Sequence, residues 1–275
     1  MASAHPPLSM HTAHLLALGF SITYVGSLYV AKNARIRVNA YDARLKFQPG
    51  GRDDPAVIRA RLMAVTIACV LSCGVVYYLL LGIQIQDPMV TTMRLLGVQW
   101  PPSVLSCLQT PLLFIGPIYG HYLASALPGQ KHYSFKYHFV DTFFSWVGFR
   151  NYLWAPLTEE ITFRACVLSV YAMGGASRWK MIAFAPLVFG LAHVHHGWEV
   201  YKQLGSTPAA FNRALVSAVF QTAYTTLFGA YASFLFLRTY SSCGLQRKAI
   251  LLIPAYSIYW RSVRIDGKPP ISSVP

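Results

Sequence analysis

Apolar and polar residues follow one another along this chain in blocks, with long apolar runs separated by short basic segments. A helix needs about 20 mostly apolar residues to cross the hydrocarbon core of a bilayer. The four longest runs are residues 14–31, 62–83, 103–127 and 211–237. The third contains Pro111 and Pro117, which predict a kinked transmembrane helix. The pattern therefore predicts a protein that crosses a membrane several times.

The middle of the chain contains shorter apolar segments. Residues 139–148 are too few to span a bilayer, so we expect a re-entrant or interfacial segment there. A helix is predicted from about residue 155 to 173, because Pro156 suits its first turn and Gly174-Gly175 ends it. The predicted fold class is all-α: a polytopic membrane bundle of about six to eight transmembrane helices, some kinked or re-entrant.

The next predicted helix, residues 181–196, is ended by Gly197. A chain of this length does not force a division into domains. We therefore predict one membrane domain over residues 1–240, whose chemically informative core is residues 150–239. Residues 241–275 have a different character and are predicted to be a divergent tail.

Composition agrees with a membrane protein. The chain is 55% hydrophobic and only 12% charged, whereas soluble domains are about a quarter charged. A net charge of +14 would suggest nucleic acid in a soluble protein, but these cations lie mostly between apolar runs. Residues 32–61 carry eight Lys and Arg against three Asp, so the positive-inside rule predicts a cytosolic loop. We expect the lipid bilayer as a partner, and no nucleic acid.

Two adjacent glutamates interrupt the apolar segment of residues 150–170. The chain has only three glutamates, and Glu159 and Glu160 stand side by side with Arg164 one helical turn later. Ionisable groups at membrane depth cost several kcal/mol unless they are paired or functional. Residues four apart share a helix face, whereas adjacent residues diverge by about 100°. Arg164 is therefore the natural partner of Glu160, which leaves Glu159 on a poorly solvated side that suits a general base.

A general base needs a second polar group to hold the water molecule that it activates. A cluster of histidines supplies this group. Phe189, His193 and His196 recur at i, i+4 and i+7, so we expect them on one helix face, with His195 pointing away. A water molecule held between Glu159 and His193 would be a nucleophile for a neighbouring carbonyl carbon. The predicted site residues are Glu159 and His193 as the catalytic pair, with Glu160, Arg164, His196 and Phe189 in support.

Other interpretations of the same residues stay open at this point. A buried salt bridge would explain Glu160 and Arg164 without chemistry. Histidine and carboxylate ligands are typical of zinc, but no H-E-x-x-H motif is present and the glutamates lie on another helix. Cys166 is a conceivable thiol nucleophile with no base beside it in the sequence. A small transporter would use the cluster as a proton relay. We expect no metal and no other cofactor.

These motifs resemble the type II CAAX prenyl endopeptidases, the Ras-converting enzymes of the eukaryotic endoplasmic reticulum, within the ABI family of glutamate intramembrane proteases. The family motif E-E-x-x-x-R stands at residues 159–164, preceded by the family-like pairs Arg150-Asn151 and Ala155-Pro156. The motif F-x-x-x-H stands within FGLAHVHH, and the run FQTAYTTLFGAYASFLFLRT is similar to the eukaryotic branch. The resemblance covers residues 150–239.

The resemblance implies a specific reaction. Such enzymes remove the last three residues of a farnesylated or geranylgeranylated C-a-a-X protein, such as a Ras-type small GTPase, by cutting after the lipid-bearing cysteine. It implies that Glu159 and His193 activate the attacking water. It also implies a multi-pass protein of the endoplasmic reticulum membrane whose active site faces the cytosol.

The chain departs from the family pattern after Thr239. The family has a third motif, a histidine followed four residues later by an asparagine, whose side chains are thought to form the oxyanion hole. This chain has no histidine after His196, and Asn212 is its only later asparagine. Loss of one oxyanion donor costs about 10²–10³ in rate. The alternative function is therefore a catalytically impaired or inactive variant that acts as a membrane scaffold for prenylated proteins.

Overall fold

A computed structural model describes residues 6–36, 49–96 and 115–241 of the chain. Within these ranges the regular secondary structure is helical, which confirms the predicted all-α fold class. The tail from residue 242 onward and most of the predicted span at residues 103–127 lie outside the described residues.

The first two predicted spans correspond to helices α1 and α2. Helix α1 covers Met10–Val30, and α2 covers Pro55–Gly82. The second helix begins before residue 62 because the Asp54 side chain caps it and Pro55 suits its first turn. Among the described residues, α1 and α2 are the two helices that are long and apolar enough, by length and composition, to cross a bilayer.

Three short helices follow: α3 at Pro88–Leu95, α4 at Ile115–Leu123, and α5 at residues 136–143, which begins as a π-helical turn. The chain then bends at residues 144–145. Gly148 makes the bend possible, because a Cβ atom there would overlap the backbone oxygen of Thr142. Helix α5 is too short to span, as the sequence predicted, and its position at the membrane interface stays a prediction.

Helix α6 carries both glutamates and runs without a break over residues 146–173. Two stretches of it are π-helical, Phe149–Trp154 and Ile161–Cys166. A π turn holds more residues than an α turn, so it changes which side chains face a neighbouring helix, and such turns occur often at functional sites. The predicted end at Met173 is confirmed, whereas the helix begins earlier than residue 155.

The remaining helices are α7 at Arg178–Ala192, α8 at Val194–Gln203 and α9 at Pro208–Ser241. The prediction of one helix ended by Gly197 is wrong: the chain breaks at His193, and Gly197 lies inside α8. Gly197 instead leaves room for a neighbouring helix, because a Cβ atom there would lie 2.7 Å from the Cβ of Ala218 on α9. A small residue lets α8 approach α9 closely, as is common between membrane helices.

The second half of α6 forms the centre of the bundle, packed between α1, α2 and α7. Two hydrogen bonds fix α6 just before the glutamates. The Tyr24 hydroxyl on α1 lies 2.8 Å from the Thr158 hydroxyl, and the Trp154 indole N–H donates to Thr66 on α2 at 2.8 Å. The glutamate turn is therefore held by two helices that precede it in the chain.

Candidate active site

The glutamate turn of α6 borders an open pocket of about 690 Å³, a volume that includes the space at its mouth. Five helices and the loop before α2 contribute to its walls. Its lining residues are Tyr24, Val25 and Leu28 of α1; Arg52 of the loop; Arg61, Leu62 and Val65 of α2; Arg150, Ala155, Glu159 and Phe163 of α6; Ala192 and His193 at the end of α7; and His195 and His196 of α8. The pocket thus has an apolar wall, a basic wall and a Glu–His group.

Glu160 and Arg164 form the ion pair that their spacing predicts. Their side chains are 3% and 2% exposed, and the Nη1–Oε1 distance is 3.1 Å. The Arg164 guanidinium also lies over the Phe189 ring, 3.8 Å from its centroid, which is a cation–π contact. These three residues lie behind the pocket wall, where they brace α6 against α7.

Glu159 and His193 come from different helices and line the same pocket. The Nδ1 atom of His193 lies 2.8 Å from the backbone oxygen of Phe189. A carbonyl oxygen accepts only, so Nδ1 is the donor in this contact. The Phe189 ring packs edge-on against the imidazole, with the two ring centroids 4.5 Å apart. The histidine is thus fixed in one orientation and one tautomer.

His195 and His196 extend this group along α8. His196 lies 5.8 Å from the His193 ring and 4.0 Å from the His195 ring, measured between centroids. The prediction that His195 points away is wrong, since it lines the pocket beside His196. The break at His193 is the reason: it starts a new helix, so the spacing of α7 does not continue into α8.

Glu199 organises the polar side of α8 and was not predicted. Its carboxylate accepts hydrogen bonds from Arg61 at 3.1 Å, Tyr29 at 3.5 Å and His196 at 3.3 Å. Burial alone would raise the pKa of Glu199, but the His196 hydrogen bond and the Arg61 charge outweigh burial and lower the pKa to about 2. Glu199 is therefore an anion that ties α8 to α1 and α2.

The basic wall consists of Arg52, Arg61 and Arg150, and sequence reasoning missed it. The charges of residues 32–61 were attributed to membrane topology, which explains their sign but not their positions. Arg150 is buried and donates to Asp53 at 2.8 Å. One signal for Arg150 was present in the sequence: it belongs to the family-like pair Arg150-Asn151, a few residues before Ala155.

The alternative chemistries use residues other than Glu159 and His193. Within the described residues, the group that could bind a metal is His195, His196 and Glu199, whose ligand atoms lie within 4.8 Å of one another; it borders the pocket through the two histidines and does not include Glu159 or His193. The Arg61 guanidinium on Glu199 opposes a second cation there. Cys166 is fully buried, with its sulfur 3.8 Å from that of Cys73, and it does not line the pocket. The pocket itself presents a carboxylate and an imidazole, which are the groups of general acid–base hydrolysis.

Comparison with known proteins identifies a family. Residues 141–245 match the family model described as "Type II CAAX prenyl endopeptidase Rce1-like". A Schizosaccharomyces pombe protein named "Probable CAAX prenyl protease 2" is 33% identical over 228 residues, which is 83% of this chain and 74% of that protein. The human "CAAX prenyl protease 2" is 34% identical over 249 residues, 85% of this chain and 67% of the human protein. No solved structure matches.

Proposed function

This chain belongs to the type II CAAX prenyl endopeptidase family, and on that premise we propose that it is a membrane peptide hydrolase that removes the C-terminal tripeptide of prenylated C-a-a-X proteins. The observation that carries the proposal is the pocket shared by Glu159 and His193, two residues from different helices whose side-chain chemistry suits hydrolysis. Ras-type small GTPases are the proposed substrate class.

The proposed reaction uses the two side chains to activate one water molecule. The Glu159 carboxylate and the His193 Nε2 atom each accept a hydrogen bond from the water, so its lone pair faces the carbonyl carbon after the prenylated cysteine. As the water attacks, Glu159 takes a proton and a tetrahedral intermediate forms. Glu159 then gives that proton to the leaving amide nitrogen, the C–N bond breaks, and the tripeptide leaves with a free amine.

The pocket walls suit a lipidated peptide. Val25, Leu28, Leu62 and Val65 form an apolar wall between α1 and α2, the two helices that are both long and apolar enough to span a bilayer in the described part of the chain. A prenyl chain already partitioned into the bilayer would reach such a wall without crossing water. The apolar wall therefore supports a prenylated substrate.

The proposed location is the endoplasmic reticulum membrane, with the pocket open to the cytosol. Arg52 lines the pocket and belongs to the basic segment that the positive-inside rule assigns to the cytosol. An epitope inserted at Gly50 in this segment tests the orientation. Protease added outside intact microsomes should digest the epitope, and protection from digestion would refute the proposed orientation.

The decisive experiment replaces Glu159 with glutamine. The test uses cleavage of a farnesylated peptide taken from the C-terminus of a Ras-type GTPase. We expect Glu159→Gln and His193→Ala each to lower turnover by about 10²–10⁴-fold, because each removes a general acid–base group. His132→Ala is the matched control, since His132 is exposed and lies outside the pocket.

Retained turnover in the Glu159→Gln variant would refute the catalytic assignment. A wild-type chain that binds the farnesylated peptide but never cleaves it would instead support the scaffold alternative. Binding measured alongside turnover separates these two results.

A further inference from the structure

The third glutamate of the chain is not explained by the hydrolytic step. Water activation uses Glu159, and Glu160 pairs with Arg164. Glu199 lies on α8 and does not line the pocket. Its side chain is only 12% exposed, and a carboxylate so far from water is costly unless it is paired and hydrogen-bonded. The hydrogen bonds of Glu199 indicate what it does for the site.

The two carboxylate oxygens of Glu199 have different partners. Oε1 accepts from the Arg61 guanidinium at 3.1 Å and from the Tyr29 hydroxyl at 3.5 Å. Arg61 is itself fixed, because its Nε atom donates to the backbone oxygen of Ala34 at 3.0 Å. Oε2 lies 3.3 Å from Nδ1 of His196. One oxygen thus anchors the carboxylate to α1 and α2, and the other is directed at a histidine of the pocket.

This contact determines which nitrogen of His196 carries the proton. The pKa of Glu199 is about 2, so its carboxylate is ionised at neutral pH and can only accept a hydrogen bond. Nδ1 of His196 is therefore the donor. Burial lowers the pKa of His196 well below its usual range and outweighs the Glu199 hydrogen bond, which raises it. The neighbouring Arg52, His195 and His193 act in the same direction as burial, so the ring is neutral and Nε2 is an acceptor.

The acceptor nitrogen of His196 lies on the pocket side of the ring. The two nitrogens of an imidazole point in nearly opposite directions, and Nδ1 is directed at Glu199, which is outside the pocket lining. The His196 ring itself lines the pocket, with its centroid 5.8 Å from that of the His193 ring. Nε2 is therefore the polar atom that His196 presents to a bound molecule.

A peptide in the pocket offers two kinds of backbone group, and an acceptor selects one of them. A backbone N–H donates and a carbonyl oxygen accepts, so Nε2 of a neutral His196 can bind only the N–H. Negative charge develops on the oxygen of the scissile carbonyl during attack, and an acceptor beside that oxygen would oppose the charge. A contact to an N–H holds the peptide without this cost.

We propose that Glu199 is a positioning residue that keeps the proton of His196 on Nδ1, so that Nε2 accepts a hydrogen bond from a backbone N–H of the bound peptide. The inference rests on the proposed function and adds a peptide contact to it. Glu199 acts through His196 and does not touch the substrate itself.

Arg61 makes this arrangement sensitive to a single atom. A guanidinium only donates, so the position that Oε1 of Glu199 occupies must hold an acceptor. In a Glu199→Gln variant the amide oxygen would face Arg61, and the NH₂ group would face His196. An NH₂ group also only donates, so the His196 proton would move to Nε2. The acceptor at the pocket would then become a donor.

The first test measures the tautomer, so it does not depend on turnover. NMR spectra are recorded at pH 7 from the chain in lipid nanodiscs with isotope-labelled histidine, and the His196 signals are those lost in His196→Gln. The wild-type ring should be neutral and protonated on Nδ1, whereas Glu199→Gln should place the proton on Nε2. His195 is the internal control, because its Nδ1 atom contacts the backbone oxygen of Ala192 and its tautomer should not change.

The second test is cleavage of the farnesylated peptide. Glu199→Gln and His196→Ala should each lower kcat/KM by about 10-fold, as expected for the loss of one hydrogen bond. The double variant should lose no more than either single variant, because both changes remove the same contact. Lys202→Gln is the matched control and should leave kcat/KM unchanged, since Lys202 is an exposed residue of α8 that does not line the pocket.

A wild-type His196 protonated on Nε2, or on both nitrogens, would overturn the proposal, and this measurement needs no variant that could disturb the fold. A tautomer that survives Glu199→Gln would overturn it as well. So would a double variant in which the two losses add, because Glu199 would then not act through His196. The proposed function fails separately: a chain with the expected tautomer that neither binds nor cleaves the peptide would refute the hydrolase and leave the tautomer standing.

Discussion

Replacing Arg164 with methionine would leave the Glu160 carboxylate buried without its cation. The two side chains are 2% and 3% exposed and 3.1 Å apart, so water cannot replace the lost partner. Breaking a buried pair by removing one member costs about 3–5 kcal/mol. Methionine keeps an apolar chain of similar length, so the change removes the charge and keeps much of the packing.

The cost has an upper limit, because the stranded carboxylate can take up a proton instead. A glutamate in water has a pKa near 4.3. Keeping the buried carboxyl protonated therefore costs about 3.7 kcal/mol at pH 7 and about 1 kcal/mol at pH 5. The folded variant would then bind a proton that the unfolded chain releases, so its stability falls as the pH rises. We therefore expect a loss of up to about 3–4 kcal/mol at pH 7 that becomes small at pH 5.

Thermal unfolding of the purified protein in nanodiscs at both pH values measures this effect. At about 2–4 °C per kcal/mol, the expected fall in Tm at pH 7 is about 6–16 °C. The double variant Glu160→Gln/Arg164→Met should recover most of it, because no buried charge remains. If the double variant is as unstable as the single one, Arg164 stabilises the protein by packing on Phe189 and not by pairing with Glu160. The same conclusion follows if the loss of stability does not depend on pH.

Two further outcomes follow from the structure. Gly190→Ala on α7 should destabilise the protein by about 1–3 kcal/mol in the same unfolding assay, because the new Cβ would overlap the Thr226 hydroxyl and lie 3.1 Å from the Thr222 carbonyl oxygen of α9. Gly74→Ala on α2 is the control, because no atom lies within 4 Å of the new Cβ, and it should be neutral or stabilising. An equal loss of stability in both variants would refute the close contact between α7 and α9. Removal of divalent metals with a chelator should leave peptide cleavage unchanged, because the proposed chemistry uses Glu159 and His193 alone. A loss of activity that zinc restores would refute that mechanism.

Local patterns in the sequence predicted the parts of the site that lie within one helical turn. The Glu160–Arg164 pair follows from the i, i+4 rule, and the i, i+4 rule also placed Phe189 beside His193. Apolar runs of spanning length predicted α1 and α2 for the same reason, since bilayer thickness fixes the length of the helix. Such features depend only on residues that are close together in the sequence, so one sequence is enough to predict them.

Features that depend on where one helix ends or meets another were not predictable in this way. The break at His193 turned His195 into the pocket, and no glycine or proline at that position signals it. The basic wall joins a loop residue to α2 and α6, and only the fold brings Arg52 and Arg150 together. Positive charges near membrane helices already have a topological explanation, so the sequence does not show that three of them meet at one pocket.

The wall that α1 contributes has a consequence for biogenesis. Tyr24, Val25 and Leu28 are made long before His193, and the pocket needs all of them. Helix α1 is therefore made before its partners, and Tyr24 cannot bond to Thr158 until α6 has been made. During that interval the nascent chain contains no pocket at all. A fault in the insertion of α1 would thus remove the site from a protein whose glutamates and histidines are all intact.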